Sequence, residues 1–322
     1  MNKKIIIIGG DPNSINTEII FKTWKKLNNN VKKNIYLISN FELVNRQFKK
    51  LKFKCKLMKI KNIDDHLTTK SLKIIDIPLD FKKPFNVSLN KSSKYVLSSL
   101  NLAHNLAKNK KVKGIINCAI NKNLIKSSKK IGVTEYLASK CSIKKNSEIM
   151  MIFNKKLSVV PITTHVSIKD VSKKIRSKLI IKKIISLNEN YKKIFNNKPK
   201  IGILGLNPHN AEFKKNSEEI LEIIPAIKKL KQKKVNIKGP IVSDTIFVAE
   251  YKKFDVIVGM YHDQVLSPFK TLFNFNAINI TLGLNYIRLS PDHGPAIDII
   301  GKNKADCTSL LNCVNFISNL KR

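Results

Sequence analysis

Six histidines, His66, His104, His165, His209, His262 and His293, hold much of the metal-binding and proton-transfer capacity of this 322-residue chain. Four of them share one context. His165 ends the run "SVVPITTH", His209 ends "IGILGLNPH", His262 follows "DVIVGMY", and His293 lies in "RLSPDHGP". Three neutral imidazoles are a common set for a divalent metal, and they leave coordination positions open for a substrate oxygen. The separations of His165, His209 and His262 match no local motif such as HExxH, so a shared site would have to be assembled by the fold. Taken singly, each reads first as a satisfied turn or loop histidine.

Other polar groups surround these positions. Thr163 and Thr164 precede His165; Asn207, Asn210 and Glu212 flank His209; Asp263 and Gln264 follow His262. Each could orient an imidazole from behind, and each is equally at home capping a strand end or a helix. Arg288 is one of four arginines and sits in an apolar, β-rich run, where an unmatched guanidinium is costly. It is expected to meet an anion, either a protein carboxylate or a ligand phosphate or carboxylate. No GxGxxG follows a strand, and GxxxxGK[ST] and GxSxG are missing, so a Rossmann fingerprint, a P-loop and a nucleophile elbow are not supported.

The elements that would position these groups alternate along the chain. Short β-rich runs, "KKIIIIGG", "NIYLIS", "KVKGIINCAI", "LSVVPITTH", "KIGILGLNPH", "FDVIVGMYHD" and "AINITLGLNYIRLS", are separated by longer amphipathic stretches. That order predicts an α/β architecture on largely parallel sheets, with helices over 17–29, 168–191 and 216–232 and a long loop over 76–93. In open α/β sheets, ligands bind beyond the carboxyl ends of strands, where residues distant in sequence converge. His165, His209 and His262 all occupy such ends.

Composition excludes more than it assigns. A 43% hydrophobic content suits a folded core. No apolar stretch approaches the roughly 20 residues of a membrane span. The five cysteines are scattered without a CxxC pair, which suggests reduced thiols and a cytoplasmic location. The net charge of +39 would ordinarily suggest nucleic acid, but it comes almost wholly from lysines spread over the full length among Ile and Asn, with few aromatics interleaved. Solvated lysine faces account for it, and a basic nucleic-acid-binding protein is the distant alternative.

Together, "VVPITTHVSIKDV", "GILGLNPHNAE", "GPIVSDTIF", "MYHDQVLSPFK" and "INITLGLNYIRLSPDHGPAIDIIGKNKAD" resemble the 4-hydroxythreonine-4-phosphate dehydrogenase family of pyridoxal phosphate biosynthesis. The match is in order from "GGDP" onward. The resemblance implies two α/β/α domains around a cleft, like isocitrate and isopropylmalate dehydrogenases rather than Rossmann enzymes. They would comprise 1–130 with 271–322, and 131–270. It implies a divalent metal (Zn, Mg or Co) on His165, His209 and His262, contributed by both subunits of a homodimer, so that the active site lies at the interface. It also implies a phosphorylated amino-acid substrate held by Thr134, Lys270, Asn279 and Arg288. NAD or NADP would bind at the loop around His293 and Gly294 without a Rossmann fingerprint. Lys270, Asp263 and Asp244 are the candidates for acid or base. Val133 stands where the family's "GHTE" has histidine, "GDPNSINTE" replaces "GDPAGIGPE", and Pro295 replaces the threonine of "DHGTA". These departures raise a related dehydrogenase for another hydroxy acid, or a catalytically impaired relative, as alternatives.

Overall fold

The computed structural model describes residues 3–63, 68–128, 132–141, 143 and 147–320, so His66 lies outside the described residues. The chain divides into two compact units, Met1–Ser142 with Leu284–Arg322, and Ile143–Gly283. The divisions lie beyond the expected 130 and 270 for identifiable reasons. Helix α5 (Val133–Lys140) contributes Tyr136 and Leu137 to the core of the first unit. The strand Ile278–Leu282 pairs with Ile149–Phe153 of the second.

The first unit contains β1 (Ile5–Ile8), β2 (Ile35–Ser39), β3 (Lys56–Ile60), β4 (Ser71–Asp76), β5 (Gly114–Asn117) and, from the end of the chain, β12 (Arg288–Pro291). Their order is β3-β4-β2-β1-β5-β12, all parallel. A parallel sheet is covered on both faces, so its central strands are apolar throughout. Ile5, Ile6, Ile7 and Ile8 are accordingly all buried. The helices α1 (Asn16–Lys26), α2 (Asn29–Lys32), α3 (Phe41–Lys50), α4 (Leu89–Lys108), α5 and α11 (Thr308–Asn319) belong to this unit. One side of its core joins Ile6, Ile8, Tyr36 and Ile38 to Tyr95, Val96 and Leu100 of α4.

The turn after β1 shows what the altered "GDPNSINTE" does. Gly10 has φ +73°, and a Cβ there would lie 2.6 Å from the Ala119 carbonyl oxygen, so both backbone and space demand glycine. Asn16 grips Ala119 twice, donating to its carbonyl at 2.7 Å and accepting its N–H at 3.2 Å. Asn13 grips Val87 the same way, at 2.8 and 2.9 Å. The two asparagines hold the segments after β4 and β5 against this turn. Burial pushes the Asp11 carboxyl up, partly offset by the backbone N–H groups of Asn13 and Asn121.

The second unit contains β6 (Ile149–Asn154), β7 (Leu157–Thr163), β8 (Ile201–Leu204), β9 (Ile237–Ile241), β10 (Val256–Tyr261) and β11 (Ile278–Leu282), ordered β11-β6-β7-β10-β8-β9. The run β7-β10-β8-β9 is parallel, in line with the largely parallel expectation, and β6 alone among these strands is antiparallel to both its neighbours. Its helices are α6 (Ile168–Lys174), α7 (Ser177–Phe195), α8 (Ile224–Gln232), α9 (Ser243–Ile246) and α10 (His262–Phe273). The expected helix 168–191 is thus two helices, separated where Ile175 and Arg176 turn extended. The Glu222 carboxylate accepts Ser177 N–H at 2.6 Å at that break. No helix among the described residues is long and apolar enough to cross a membrane, and all five cysteines are free thiols.

Candidate functional site

In the second unit, parallel pairing sends three histidine-bearing loops from the same sheet edge. Tyr261 is in register with Thr163, and Val258 with Ile203, so β7, β10 and β8 end side by side. His262 follows β10 directly and opens α10, while His165 lies two residues past β7 in a left-handed conformation, φ +51°. Their rings come together, with centroids 6.2 Å apart. With metal–nitrogen bonds near 2 Å, two imidazoles sharing one ion place their centroids at most about 6.5 Å apart. The pair is therefore within that span. Asp263 Oδ1 lies 2.6 Å from His262 Nδ1, which makes Nδ1 the protonated nitrogen and leaves Nε2 with its lone pair for an ion.

His209 occupies an unusual turn beyond β8. His209, Asn210, Ala211, Glu212 and Phe213 all have φ between +48° and +57°, five consecutive residues in left-handed backbone. L-residues visit that region singly, at roughly 1–2 kcal/mol each, so a run needs firm anchoring. The anchor is Glu219, 0% exposed. It accepts the N–H groups of Leu206 and Asn207 at 2.8 Å each and the Asn207 side-chain amide at 3.0 Å. Glu218 takes the same amide at 2.8 Å. Both carboxylates lie at the start of the π-helical turn Glu219–Ile223, a distortion of the expected helix 216–232. Among the described residues, no three His, Cys, Asp or Glu side chains of one chain converge as a metal cage. His165 and His262 are brought together; His209 is on the same sheet edge, exposed.

The remaining candidates divide between the units. Lys270 lies in α10 with its ammonium 5.1 Å from the Phe275 ring centroid, and Asp244 is exposed in α9. Asn279 on β11 has a buried Oδ1 with no hydrogen-bond partner among the described residues, an acceptor that a donor from outside the chain would suit. In the first unit, Arg288 opens β12 at 3% exposure. Its Nε donates to Asn117 Oδ1 at 2.6 Å and its Nη1 to Thr134 Oγ1 at 3.1 Å. Burial lowers the guanidinium pKa to about 10, opposed by the nearby Tyr286 and Glu135. Val133 packs against the apolar core. His293 Nδ1 lies 2.9 Å from the Gly294 carbonyl and so carries the proton, while its buried Nε2 has no hydrogen-bond partner among the described residues. Space around Gly294 is open. A backbone without side-chain cover and an unmet acceptor suit a nucleotide cofactor.

The family model for the pyridoxal phosphate biosynthetic protein PdxA matches residues 30–317. The chain belongs to that family. A 4-hydroxythreonine-4-phosphate dehydrogenase of Sulfurihydrogenibium sp. is 39% identical over 99% of this chain and 98% of its own length. An Oceanobacillus iheyensis protein bearing the provisional name D-threonate 4-phosphate dehydrogenase is 32% identical, covering 98% of this chain and 97% of that one. Among solved structures, 4-hydroxythreonine-4-phosphate dehydrogenase from Klebsiella pneumoniae superposes with a TM-score of 0.86 at 27% identity, covering 98% of both chains. PdxA membership and the α/β fold therefore agree with the sequence expectation.

Two residues that shape this chain's candidate site escaped the sequence reading. Asn117 holds Arg288, and it ends β5; the strand-end rule that selected the histidines would have found it. Glu219 anchors the His209 loop from a helix, and no local spacing links it to "GLNPH". His104 is resolved as structural: it is buried, its Nδ1 is 3.0 Å from the Tyr286 hydroxyl, and burial lowers its pKa.

Proposed function

We propose that this PdxA-family protein oxidises 4-hydroxy-L-threonine 4-phosphate at the 3-hydroxyl with NAD or NADP. The 3-oxo acid then loses carbon dioxide to give 3-amino-2-oxopropyl phosphate. The observation that carries this reading is the His165–His262 pair, with Asp263 on the far nitrogen, in a chain aligned almost end to end with relatives of that name. A divalent ion, Zn, Mg or Co, would be held by His165 and His262 together with His209. When bound, it would acidify the substrate hydroxyl and stabilise negative charge developing on that oxygen during decarboxylation.

The chain's own groups would do the rest. Arg288, aimed by Asn117 and Thr134, would bind an anionic group of the substrate, with Lys270 neutralising another. Asn279 Oδ1 would accept a substrate N–H or O–H. The loop at His293 and Gly294 would receive the cofactor. Asp263 is committed to His262, so it would orient the imidazole, leaving Lys270 and Asp244 as candidates for proton transfer. A homodimer completing the site is part of this proposal, and the exposed apolar side chains of the second unit, such as Ile168, Val248 and Phe275, are in keeping with it.

NADH formation from 4-hydroxythreonine phosphate, followed by absorbance before and after chelation, tests the reading. Turnover should vanish with chelator and return with Zn, Mg or Co; full turnover in the metal-free protein would sink the metal role. Val133 favours a second reading, a dehydrogenase of this family for another phosphorylated hydroxy acid. It places an apolar side chain against the core where the family pattern has an imidazole. D-Threonate 4-phosphate as competing substrate decides between them by kcat/KM.

A further inference from the structure

The residue after the "HD" of "MYHDQ" folds back into the sheet. Gln264 Oε1 accepts the Met260 N–H at 2.6 Å, and Nε2 donates to the Gly205 carbonyl at 2.7 Å and to Ser243 Oγ at 2.8 Å. The partners fix the amide orientation, since a backbone N–H can only donate and a carbonyl can only accept. Gly205 lies at the end of β8 and leads to His209; Ser243 opens α9 after β9; Met260 lies in β10 just before His262. On the other side, Thr163 Oγ1 donates to the Met260 carbonyl at 2.7 Å, from the strand end that leads to His165. Met260 is thus gripped at its N–H by Gln264 and at its C=O by Thr163.

Two glycines make room for this lacing. A Cβ on Gly259 would lie 2.6 Å from Val265 Cγ1 and 2.9 Å from Gln264 Oε1. A Cβ on Gly205 would lie 2.1 Å from Asn210 Oδ1, the residue after His209. The amide's one acceptor and two donors are all used. Glutamate has the same shape but would set a carboxylate oxygen against the Gly205 carbonyl, turning an attraction into a repulsion.

We infer that Gln264 is a positioning residue for the histidine set: it locks together the strand ends that carry His209 and His262, with Thr163 tying in that of His165. The inference rests on the metal reading above. Ligand placement within about 0.5 Å governs metal affinity, and partners behind the ligands commonly change it tenfold to a hundredfold. The Gln264 amide spends its hydrogen bonds on Met260, Gly205 and Ser243, so its effect on the imidazoles would come through geometry.

Co(II) titration of the purified, metal-stripped protein, read through the visible d–d bands, tests this. The proteins compared are wild type, Gln264→Glu, Thr163→Val and Ile227→Val, the last in α8 as a packing control. The expected result is a tenfold or greater loss of Co(II) affinity and altered bands for Gln264→Glu. Thr163→Val should show a smaller loss, and Ile227→Val an unchanged affinity despite a lower melting temperature. Should Gln264→Glu fail to fold, Gln264→Met removes the lacing without adding charge and carries the same comparison. Unchanged Co(II) affinity and bands in a folded Gln264 variant overturn the positioning role while leaving the metal reading intact. No Co(II) binding by wild type overturns both.

Discussion

Neutral side chains can aim a buried guanidinium, and Arg288 shows how. Its Nε and Nη1 donate to the neutral oxygens of Asn117 and Thr134, which aim the planar fork. Arg288→Lys keeps the charge and loses the fork. It should raise KM for a phosphorylated substrate by about tenfold to a hundredfold, the scale of one or two hydrogen bonds to a charged group; an unchanged KM would remove Arg288 from the binding proposal. Asn117→Ala leaves the guanidinium short of a partner and should cost about 1–3 kcal/mol of stability, measured by urea unfolding. The lone arginine in an apolar run was legible from composition, because burial of such a group is expensive. Its partners were not, since Asn117 and Thr134 are far from it in sequence.

Among elements, the strands were more legible than the helices. Runs such as "IIII" and "VIVG" follow from two-sided burial, and they coincide with β1 and β10. Helix α4, with 20 residues, has no counterpart in the sequence reading, because Lys, Asn and Ser dilute its apolar stripe. The direction of β6 was equally hidden: "IMMIFN" has the same pattern whether its neighbours run parallel or antiparallel. On β4, Lys73 is 0% exposed, its ammonium 4.1 Å from the Tyr36 ring centroid and hydrogen-bonded to the Lys33 carbonyl. Burial, with Lys4 nearby, lowers its pKa from 10.5 to about 8. A base with a depressed folded pKa destabilises the fold most below that value, and the penalty fades as pH rises toward the unfolded pKa. Lys73→Met should therefore raise the melting temperature at pH 7, with a gain that shrinks between pH 8 and 10.5. A gain independent of pH would argue against this ionisation. At the β1–α1 turn, Gly10→Ala should cost at least about 1–3 kcal/mol in the same unfolding experiment.

For the whole molecule, +39 formal charges set the conditions for association. Two such chains repel, and salt screens the repulsion over about 10 Å at 0.1 M. If the homodimer proposal holds, sedimentation equilibrium should show dimerisation strengthening with added NaCl, the opposite of an ion-paired interface. Val248 is 80% exposed, so Val248→Asp should leave the monomer's melting unchanged while weakening dimers that cover it. A dimer equally stable in the variant would place the contact elsewhere. The nucleic-acid alternative predicts the reverse salt trend for polyanion binding, a steep loss of affinity as salt rises.

The five-residue left-handed turn at His209–Phe213 is a short stretch of mirror-image handedness in an L-polypeptide. Its natural building blocks would be D-residues or glycine. Ala211→Gly should therefore stabilise the protein by roughly 1 kcal/mol, where the same change in α4 would destabilise it by a similar amount. A semisynthetic chain with D-alanine at this position should do better still, since it restores the methyl group while preferring the native φ. Over evolutionary time, positions 211 and 212 would be free to drift to glycine. Asn210, whose side chain fills the space over Gly205, would not.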